Sequence, residues 1–194
     1  MIFDNPKKYR IILASGSPRR KELLAGLDLP FEIKILPDID ESYPAGLQGK
    51  EIPEYIARQK AAAYLPLISD DTLVITADTI VWLNGKVYGK PENKQDAKQM
   101  LHDLSGKTHE VITGICLTTK RQQRIFSVLS EVSFATLSKE EIEYYVEKYS
   151  PLDKAGAYGV QEWIGYIGVE NIKGSYFNVM GLPVQRLYRE LLLL

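Results

Sequence analysis

Apolar positions recur along the chain with two different periods, and this pattern predicts a mixture of strands and helices. Runs of β-branched and apolar residues, or apolar residues at every second position, predict strands at 11–13, 31–36, 72–83, 87–88, 108–119, 124–137, 163–166 and 169–173. Apolar residues at spacings of three and four predict helices that begin at residues 18, 51, 94, 139 and 183. The chain contains no internal repeat and no clear linker.

Capping and turn residues predict where several of these elements begin or end. Ser17 is a good N-cap and is followed by a proline, which suits the first position of a helix. The pair Asn84-Gly85 predicts a type I′ hairpin turn after a strand. Ser138 and Glu141 have the spacing of a capping box, so they predict the start of another helix.

The first strand leads into a loop of small residues that contains Ser15 and Ser17, and a helix follows. The unpaired N–H groups and the positive dipole end of such a helix favour an anion. Arg19 and Arg20 lie in the first turn, where cations oppose the dipole, and an anionic ligand such as a polyphosphate would remove that conflict. The alternative is a capped surface helix with two solvated arginines.

A few charged residues occupy positions that suggest chemistry. Asp78 interrupts the most apolar run of the chain, where a carboxylate is costly unless it is paired, hydrogen-bonded or bound to a metal. The loop 38–41 carries three carboxylates, among them Glu41, and forms either a metal-binding loop or, as we favour from these residues alone, a solvated one. Lys60 either lies over the edge of the core or reaches into a cleft. Asp78 has a structural alternative, in which backbone donors satisfy it.

The remaining candidates carry weaker signals. Residues 152–161 form a Gly-rich loop that is too long and too small for core packing, and such loops are often functional. We interpret His102 and His109 as structural, since no spacing of histidines and carboxylates suggests a zinc site.

Composition limits the classes of function. Lys plus Arg is 24 and Asp plus Glu is 25, so the net charge of -1 does not favour nucleic acid or a membrane surface as partner. The single Cys116 excludes an intramolecular disulfide and is interpreted as a buried apolar residue. No signal peptide and no membrane-spanning run is present, which predicts a cytoplasmic protein.

Six motifs in this order resemble the Maf family of nucleoside triphosphate pyrophosphatases. They are LASGSPRRKELL (13–24), ADTIV (77–81), GKP (89–91), LSGKTHEVITG (104–114), PLDKAGAYGVQ (151–161) and GSYFNVMGLP (174–183). The likeness extends from about residue 11 to about residue 191, so residues 1–8 are predicted to be an extension. Glu162 departs from the family pattern, which often has Gly after the Gln.

The resemblance implies a fold and a reaction. The fold would be a mixed α/β structure with an elongated, strongly bent sheet flanked by helices, similar to inosine triphosphate pyrophosphatases. We therefore expect one domain over residues 1–194, with two lobes around a central cleft. The reaction would be hydrolysis between the α and β phosphates of a nucleotide. Dimers are frequent in the family, so a homodimer is one expectation.

The resemblance also implies roles for individual residues. Asp78 matches the proposed general base, and Glu41 matches a second acid that would bind Mg²⁺ or Mn²⁺ together with it. The predicted phosphate-binding residues are Ser15, Ser17, Arg20, Lys60 and Lys90.

The branch of the family follows from three positions, which are Arg19, Thr79 and Gln161 in this chain. This set resembles the branch that hydrolyses dTTP and UTP, whereas the branch for 7-methyl-GTP carries an aromatic residue, Gln and Glu. Two alternatives remain open at this point. One is the removal of modified pyrimidine nucleotides, and the other is a non-catalytic nucleotide-binding regulator of septum formation.

Overall fold

The computed structural model describes residues 8–194, so nearly all of the predicted N-terminal extension lies outside the described residues. Within this range the strands are β1 (Arg10–Leu13), β2 (Phe31–Ile33), β3 (Thr72–Leu83), β4 (Lys86–Tyr88), β5 (Thr108–Thr118), β6 (Gln123–Phe134) and β7 (Val169–Lys173). The α-helices are α1 (Pro18–Ala25), α2 (Glu51–Tyr64), α3 (Lys94–Leu104), α4 (Lys139–Tyr149), α5 (Trp163–Gly168), α6 (Tyr176–Met180) and α7 (Val184–Leu191).

The strands form a mixed sheet in the order β2-β1-β3-β5-β6-β7, and β4 pairs with β3. Strand β1 is parallel to both β2 and β3, whereas the β3–β4 and β6–β7 pairs are antiparallel. Helices connect the parallel strands, as parallel pairing requires a crossover. The predicted mixed α/β fold, a sheet flanked by helices, is confirmed.

The described chain divides into two compact units. The first unit contains the described residues up to Asp78, together with Thr113–Val128 and Gly181–Leu194. The second unit contains Thr79–Ile112 and Leu129–Met180. The expected single domain over residues 1–194 stays a prediction. In residues 8–194 we find no helix with the length and apolar character needed to cross a membrane.

In the first unit, α2 packs closely against the sheet. A side chain at Gly114 on β5 would place its Cβ only 2.4 Å from the main-chain carbon of Pro53 on α2. The hydroxyl of Thr76 on β3 donates a hydrogen bond of 2.6 Å to the carbonyl of Ala57. Cys116 is buried beside Ala57, as the sequence predicted. The glycine and the threonine together fix the height and rotation of α2 on the sheet.

The second unit has its own apolar core, and part of the Gly-rich loop belongs to it. Ala157, Tyr158 and Val160 are buried in the same cluster as Leu101 and Val146. The expectation that this loop is unsuited to packing was therefore wrong. Its glycines let the main chain approach the core closely, and residues of the loop therefore pack in the core.

Most local predictions are confirmed, and the exceptions have tertiary causes. Asn84 and Gly85 have φ of 52° and 80°, as a type I′ turn requires. Ser17 and Ser138 cap α1 and α4 with their side chains, as predicted, and Asn93 caps α3 in the same way. The strand predicted at 31–36 is shorter than expected. It ends at Ile33, because its partner β1 ends at the paired Leu13.

The predicted strand at 163–166 is wrong, because these residues form α5. The N–H of Gly165 donates a 2.8 Å hydrogen bond to the carbonyl of Glu162, which starts the helix. A side chain at Gly165 would place its Cβ 1.8 Å from the carbonyl oxygen of Val160. Contact with the preceding turn thus overrides the β propensity of the sequence WIGY.

His109 should make the protein sensitive to acid. Burial lowers the pKa of this histidine from 6.5 to about 4. A 2.8 Å hydrogen bond joins Nε2 of its neutral ring to the Tyr158 hydroxyl. Protonation in the folded state would place a charge in the core. Because the folded pKa lies below the unfolded one, this contribution to stability is present above pH 6.5 and lost as the pH falls towards 4. We expect a loss of about 3 kcal/mol in the free energy of unfolding between pH 7 and pH 4.

Urea denaturation at pH 7 and pH 4 checks this prediction. The variant His109→Gln keeps a hydrogen-bonding side chain but cannot take a proton, so it should lose about 3 kcal/mol less than the wild type over this range. Equal losses in both proteins would show that His109 does not titrate as its burial demands.

Candidate functional site

A lysine held between two carboxylates is the central feature of the first unit. The Nζ of Lys60 on α2 lies 2.8 Å from Oδ1 of Asp78 and 3.1 Å from Oε1 of Glu41. The side chains of Lys60 and Asp78 are 12% and 13% exposed, whereas that of Glu41 is 50% exposed. The three groups combine one positive and two negative charges, so by themselves they carry a net charge of about -1.

Periodicity explains why Lys60 and Asp78 meet. Thr76 and Asp78 lie two residues apart on β3 and therefore share one face of the strand. Ala57 and Lys60 lie three residues apart on α2 and share one side of the helix. The bond from Thr76 to Ala57 brings these two surfaces together, and Lys60 then reaches Asp78 one step further along. The paired alternative for Asp78 is thus the observed one.

The loop and helix around Ser15 and Ser17 have the geometry of an anion site. Ser15 Oγ accepts the N–H of Ser17 at 3.2 Å, and Ser17 Oγ accepts the N–H of Arg20 at 3.4 Å. Each hydroxyl oxygen is engaged as an acceptor, so its own proton can be donated to an anion. The helix α1 that follows has no acidic residue in its first turn, which leaves its positive end without an internal counter-charge.

Arg20 has an anchoring role that the sequence did not reveal. Its Nε donates to the carbonyl of Gly181 at 2.9 Å, and its Nη1 donates to the carbonyl of Ala77 at 2.9 Å. Burial lowers the pKa of the guanidinium below its ordinary value, and the negative charge of Asp78 opposes that shift. Arg20 therefore ties α1 to the residue before Asp78 and brings positive charge to the acidic cluster.

The predicted site residues divide between the two units. The first unit holds Ser15, Ser17, Arg19, Arg20, Glu41, Lys60 and Asp78, and the second holds Thr79, Lys90 and Gln161. Arg19, Thr79 and Gln161 are partly buried, and Lys90 is exposed. The Oε1 atom of Gln161 is buried and has no hydrogen-bond partner within residues 8–194. A buried acceptor of this kind calls for a donor.

The carboxylates of Glu41 and Asp78 are the residues that could hold a metal ion. Among the described residues, no three His, Cys, Asp or Glu side chains come together as a metal site. The two carboxylates nevertheless converge on one cation, the Lys60 ammonium. Two carboxylates without further protein ligands suit Mg²⁺ or Mn²⁺, because these ions take their remaining ligands from water and phosphate oxygens.

Comparison with known proteins identifies the family. Residues 10–193 match the family model described as Maf-like protein, so the chain belongs to this family. It is 65% identical to the dTTP/UTP pyrophosphatase of Phocaeicola vulgatus over 190 residues, covering 98% of each chain. It is 63% identical to the protein of the same name from Bacteroides thetaiotaomicron, again covering 98% of each. A third relative of this name, from Porphyromonas gingivalis strain W83, is 56% identical. The match covers 98% of this chain and 96% of that protein.

A solved structure supports the fold. The Ham1 protein of Staphylococcus aureus superposes with a TM-score of 0.54 over 94% of this chain and 97% of that chain, at 17% sequence identity. At this level of identity the likeness shows a shared fold alone. The resemblance that the six sequence motifs indicated is confirmed by the family match.

Proposed function

We propose that this protein is a nucleoside triphosphate pyrophosphatase that hydrolyses dTTP and UTP between the α and β phosphates. The products are the nucleoside monophosphate and pyrophosphate. The observation that carries the proposal is full-length identity of 56–65% to three relatives that bear the name dTTP/UTP pyrophosphatase. The cluster of Asp78, Lys60 and Glu41 supports the proposal, as does the loop with Ser15 and Ser17, because they offer carboxylates for a base and hydroxyl donors for phosphate.

Asp78 is the proposed general base. It carries a negative charge at a largely buried position, and Lys60 holds its Oδ1 atom by a 2.8 Å hydrogen bond. The Oδ2 atom of a carboxylate held in this way can orient a water molecule and take its proton, a role that typically accelerates hydrolysis by about 10²–10⁴-fold. Lys60 then offsets negative charge that develops on the phosphates.

The phosphate chain is proposed to bind at the start of α1. Ser15 and Ser17 donate their hydroxyl protons to phosphate oxygens, and the helix end adds its dipole. Arg20, Lys60 and Lys90 contribute positive charge. Arg20 is held by two main-chain carbonyls, so its guanidinium is pre-organised for an anion.

Glu41 and Asp78 are the proposed ligands of a divalent cation, Mg²⁺ or Mn²⁺. Their oxygen atoms are hard donors, and both lie within 3.1 Å of a single cationic nitrogen. A bound divalent cation supplies charge neutralisation for the triphosphate.

Arg19, Thr79 and Gln161 are the proposed selectors of the base. The amide of Gln161 can pair with the adjacent donor and acceptor that uracil and thymine share. Its Oε1 atom has no hydrogen-bond partner among the described residues, so its capacity to accept a hydrogen bond is unused. The homodimer and the cytoplasmic location implied by the family and the sequence remain predictions, which light scattering and cell fractionation would test.

A nucleotide panel tests the proposed function. Purified protein with Mg²⁺ or Mn²⁺ is incubated with dTTP, UTP, CTP, 5-methyl-UTP, GTP and 7-methyl-GTP, and monophosphate and pyrophosphate are quantified. We expect much faster release from dTTP, UTP and 5-methyl-UTP than from CTP, GTP and 7-methyl-GTP. Turnover of 7-methyl-GTP instead would retain the reaction and overturn the selector assignment, whereas binding without turnover would favour a regulator.

The variant Gln161→Glu should depress turnover of dTTP and UTP far more than stability. A carboxylate cannot donate a hydrogen bond to the base, and its charge would lie beside neutral pyrimidine groups, so kcat/KM should fall roughly 10²-fold. Steady-state kinetics measure this effect, and urea denaturation measures stability. Gln95→Glu makes the same charge change at an exposed position of the same unit and should leave both unchanged. Unchanged turnover in Gln161→Glu would contradict the role of Gln161.

A further inference from the structure

Gln161 lies in a tight turn that the second unit holds from several sides. The N–H of Glu162 donates a 2.9 Å hydrogen bond to the carbonyl of Gly159, so Gln161 is the third residue of a four-residue turn. Glu162 is also the N-cap residue of α5. The position of the Gln161 main chain, from which its side chain leaves, therefore depends on how Gly159 and Glu162 are fixed.

A buried polar network fixes both ends of this turn. The hydroxyl of Tyr145 on α4 donates to Oε2 of Glu162 and accepts the N–H of Gly159 at 3.0 Å. The Nζ of Lys154 lies 3.1 Å from Oε1 of Glu162 and 2.7 Å from Oδ1 of Asp153. One hydroxyl thus bridges the first and last residues of the turn, and one lysine holds the other oxygen of the glutamate.

Close packing leaves this turn little room to move. A Cβ at Gly159 would lie 2.8 Å from Cδ of Glu162, and a Cβ at Gly165 would lie 1.8 Å from the carbonyl oxygen of Val160. Lys154 is only 8% exposed, and Tyr145 is fully buried. The main chain on both sides of Gln161 is therefore in contact with neighbouring groups.

This network is expected to contribute more to the conformation of the turn than to the free energy of unfolding. Apolar side chains of similar volume often stabilise a core as well as a buried ion pair does. A buried network in which the members satisfy one another, by contrast, specifies one arrangement of the chain. Glu162 has both carboxylate oxygens engaged, one by Tyr145 and one by Lys154. With both oxygens engaged, the glutamate holds the turn around Gln161 in one arrangement.

We propose that Tyr145, Lys154 and Glu162 are positioning residues that hold Gln161 in the orientation that selects uracil and thymine over cytosine. The proposal rests on the proposed function, in which Gln161 contacts the base. None of the three residues needs to touch the substrate.

Two variants and one control test the proposal. Tyr145→Phe removes the bridging hydroxyl, and Glu162→Gln removes the charge that Lys154 and Tyr145 hold. Ser138→Ala is the control, because it removes the N-cap of the same helix α4 without a contact to the turn. For each protein, kcat and KM are measured with UTP and with CTP, and urea denaturation reports stability.

We expect the ratio of kcat/KM for UTP over CTP to fall about tenfold in Tyr145→Phe and Glu162→Gln, the effect of one hydrogen bond to the base. The change should arise from KM for UTP, because Asp78 is untouched. Ser138→Ala should keep the ratio. If Tyr145→Phe fails to fold, Glu162→Gln, which preserves shape, decides the question by itself.

An unchanged ratio in the two turn variants would overturn the proposal, and so would an equal fall in Ser138→Ala, which would assign the effect to general loosening of α4. Absence of hydrolysis in the wild type would instead overturn the proposed function. In that case the binding preference for α,β-methylene-UTP over α,β-methylene-CTP, measured by calorimetry, tests the network with the same variants and the same expectation.

Discussion

Replacing Asp78 by asparagine should lower kcat for dTTP and UTP by about 10³-fold, because asparagine can neither take a proton from water nor contribute charge to a metal site. The amide oxygen can still accept the hydrogen bond that Lys60 donates to Oδ1 at 2.8 Å, so the position of α2 should be maintained. Nucleotide binding, measured by calorimetry in the presence of Mg²⁺, should weaken much less than kcat.

Asp71→Asn provides the matched control for this variant. Asp71 is an exposed carboxylate just before the same strand β3, and its hydrogen bond to the Ser69 hydroxyl can be kept by asparagine. This control should hydrolyse dTTP at the wild-type rate. Wild-type turnover in Asp78→Asn would remove Asp78 from the mechanism, and a cell-division phenotype that survives the loss of turnover would point to a regulator that acts by binding.

Placing alanine at Gly114 should destabilise the protein by about 3 kcal/mol or more, since overpacking of a rigid contact cannot be relieved by a rotamer change. The new Cβ would lie 2.4 Å from the carbonyl carbon of Pro53 and 2.5 Å from the nitrogen of Glu54, both of which are main-chain atoms. Helix α2 would have to move away from β5. Because α2 carries Lys60, activity at low temperature should fall together with stability.

Gly46→Ala separates this steric effect from the general cost of replacing glycine. A Cβ at Gly46 would meet no atom within 4 Å, and the residue lies in an exposed loop of the same unit. Its urea midpoint and turnover should match those of the wild type. A Gly114→Ala protein with unchanged midpoint would show that α2 can shift on the sheet without cost, and the contact would then not determine the position of Lys60.

Local elements of the fold could be predicted from the sequence with little error. The helix predicted to begin at residue 51 and the strand predicted at 72–83 agree with α2 (Glu51–Tyr64) and β3 (Thr72–Leu83). The side-chain caps at Ser17 and Ser138 were also predicted. These features depend on interactions within a few residues, so the information that determines them is contiguous in the chain. The unusual position of Asp78 could be recognised for the same reason, because this carboxylate interrupts a contiguous apolar run.

Contacts between distant segments could not be predicted in this way. Arg20 is bound to the carbonyls of Ala77 and Gly181, which lie 57 and 161 residues away in the chain. The acidic loop around Glu41 was interpreted as solvated from its residues alone, yet Glu41 lies 3.1 Å from the Lys60 ammonium. No periodicity or spacing specifies such partners, because each depends on how complete elements pack.

The sequence by itself determined the strands, helices, caps and the family of this protein, since these are set by local propensity and by ordered motifs. The tertiary structure decided which groups act together: Lys60 between two carboxylates, Arg20 anchored to main-chain carbonyls, and the turn of Gln161 held by Tyr145 and Glu162. It also decided that residues 163–168 form a helix. The physical reason is that burial and close packing act across long sequence separations, where local preferences of about 1 kcal/mol or less are readily overridden.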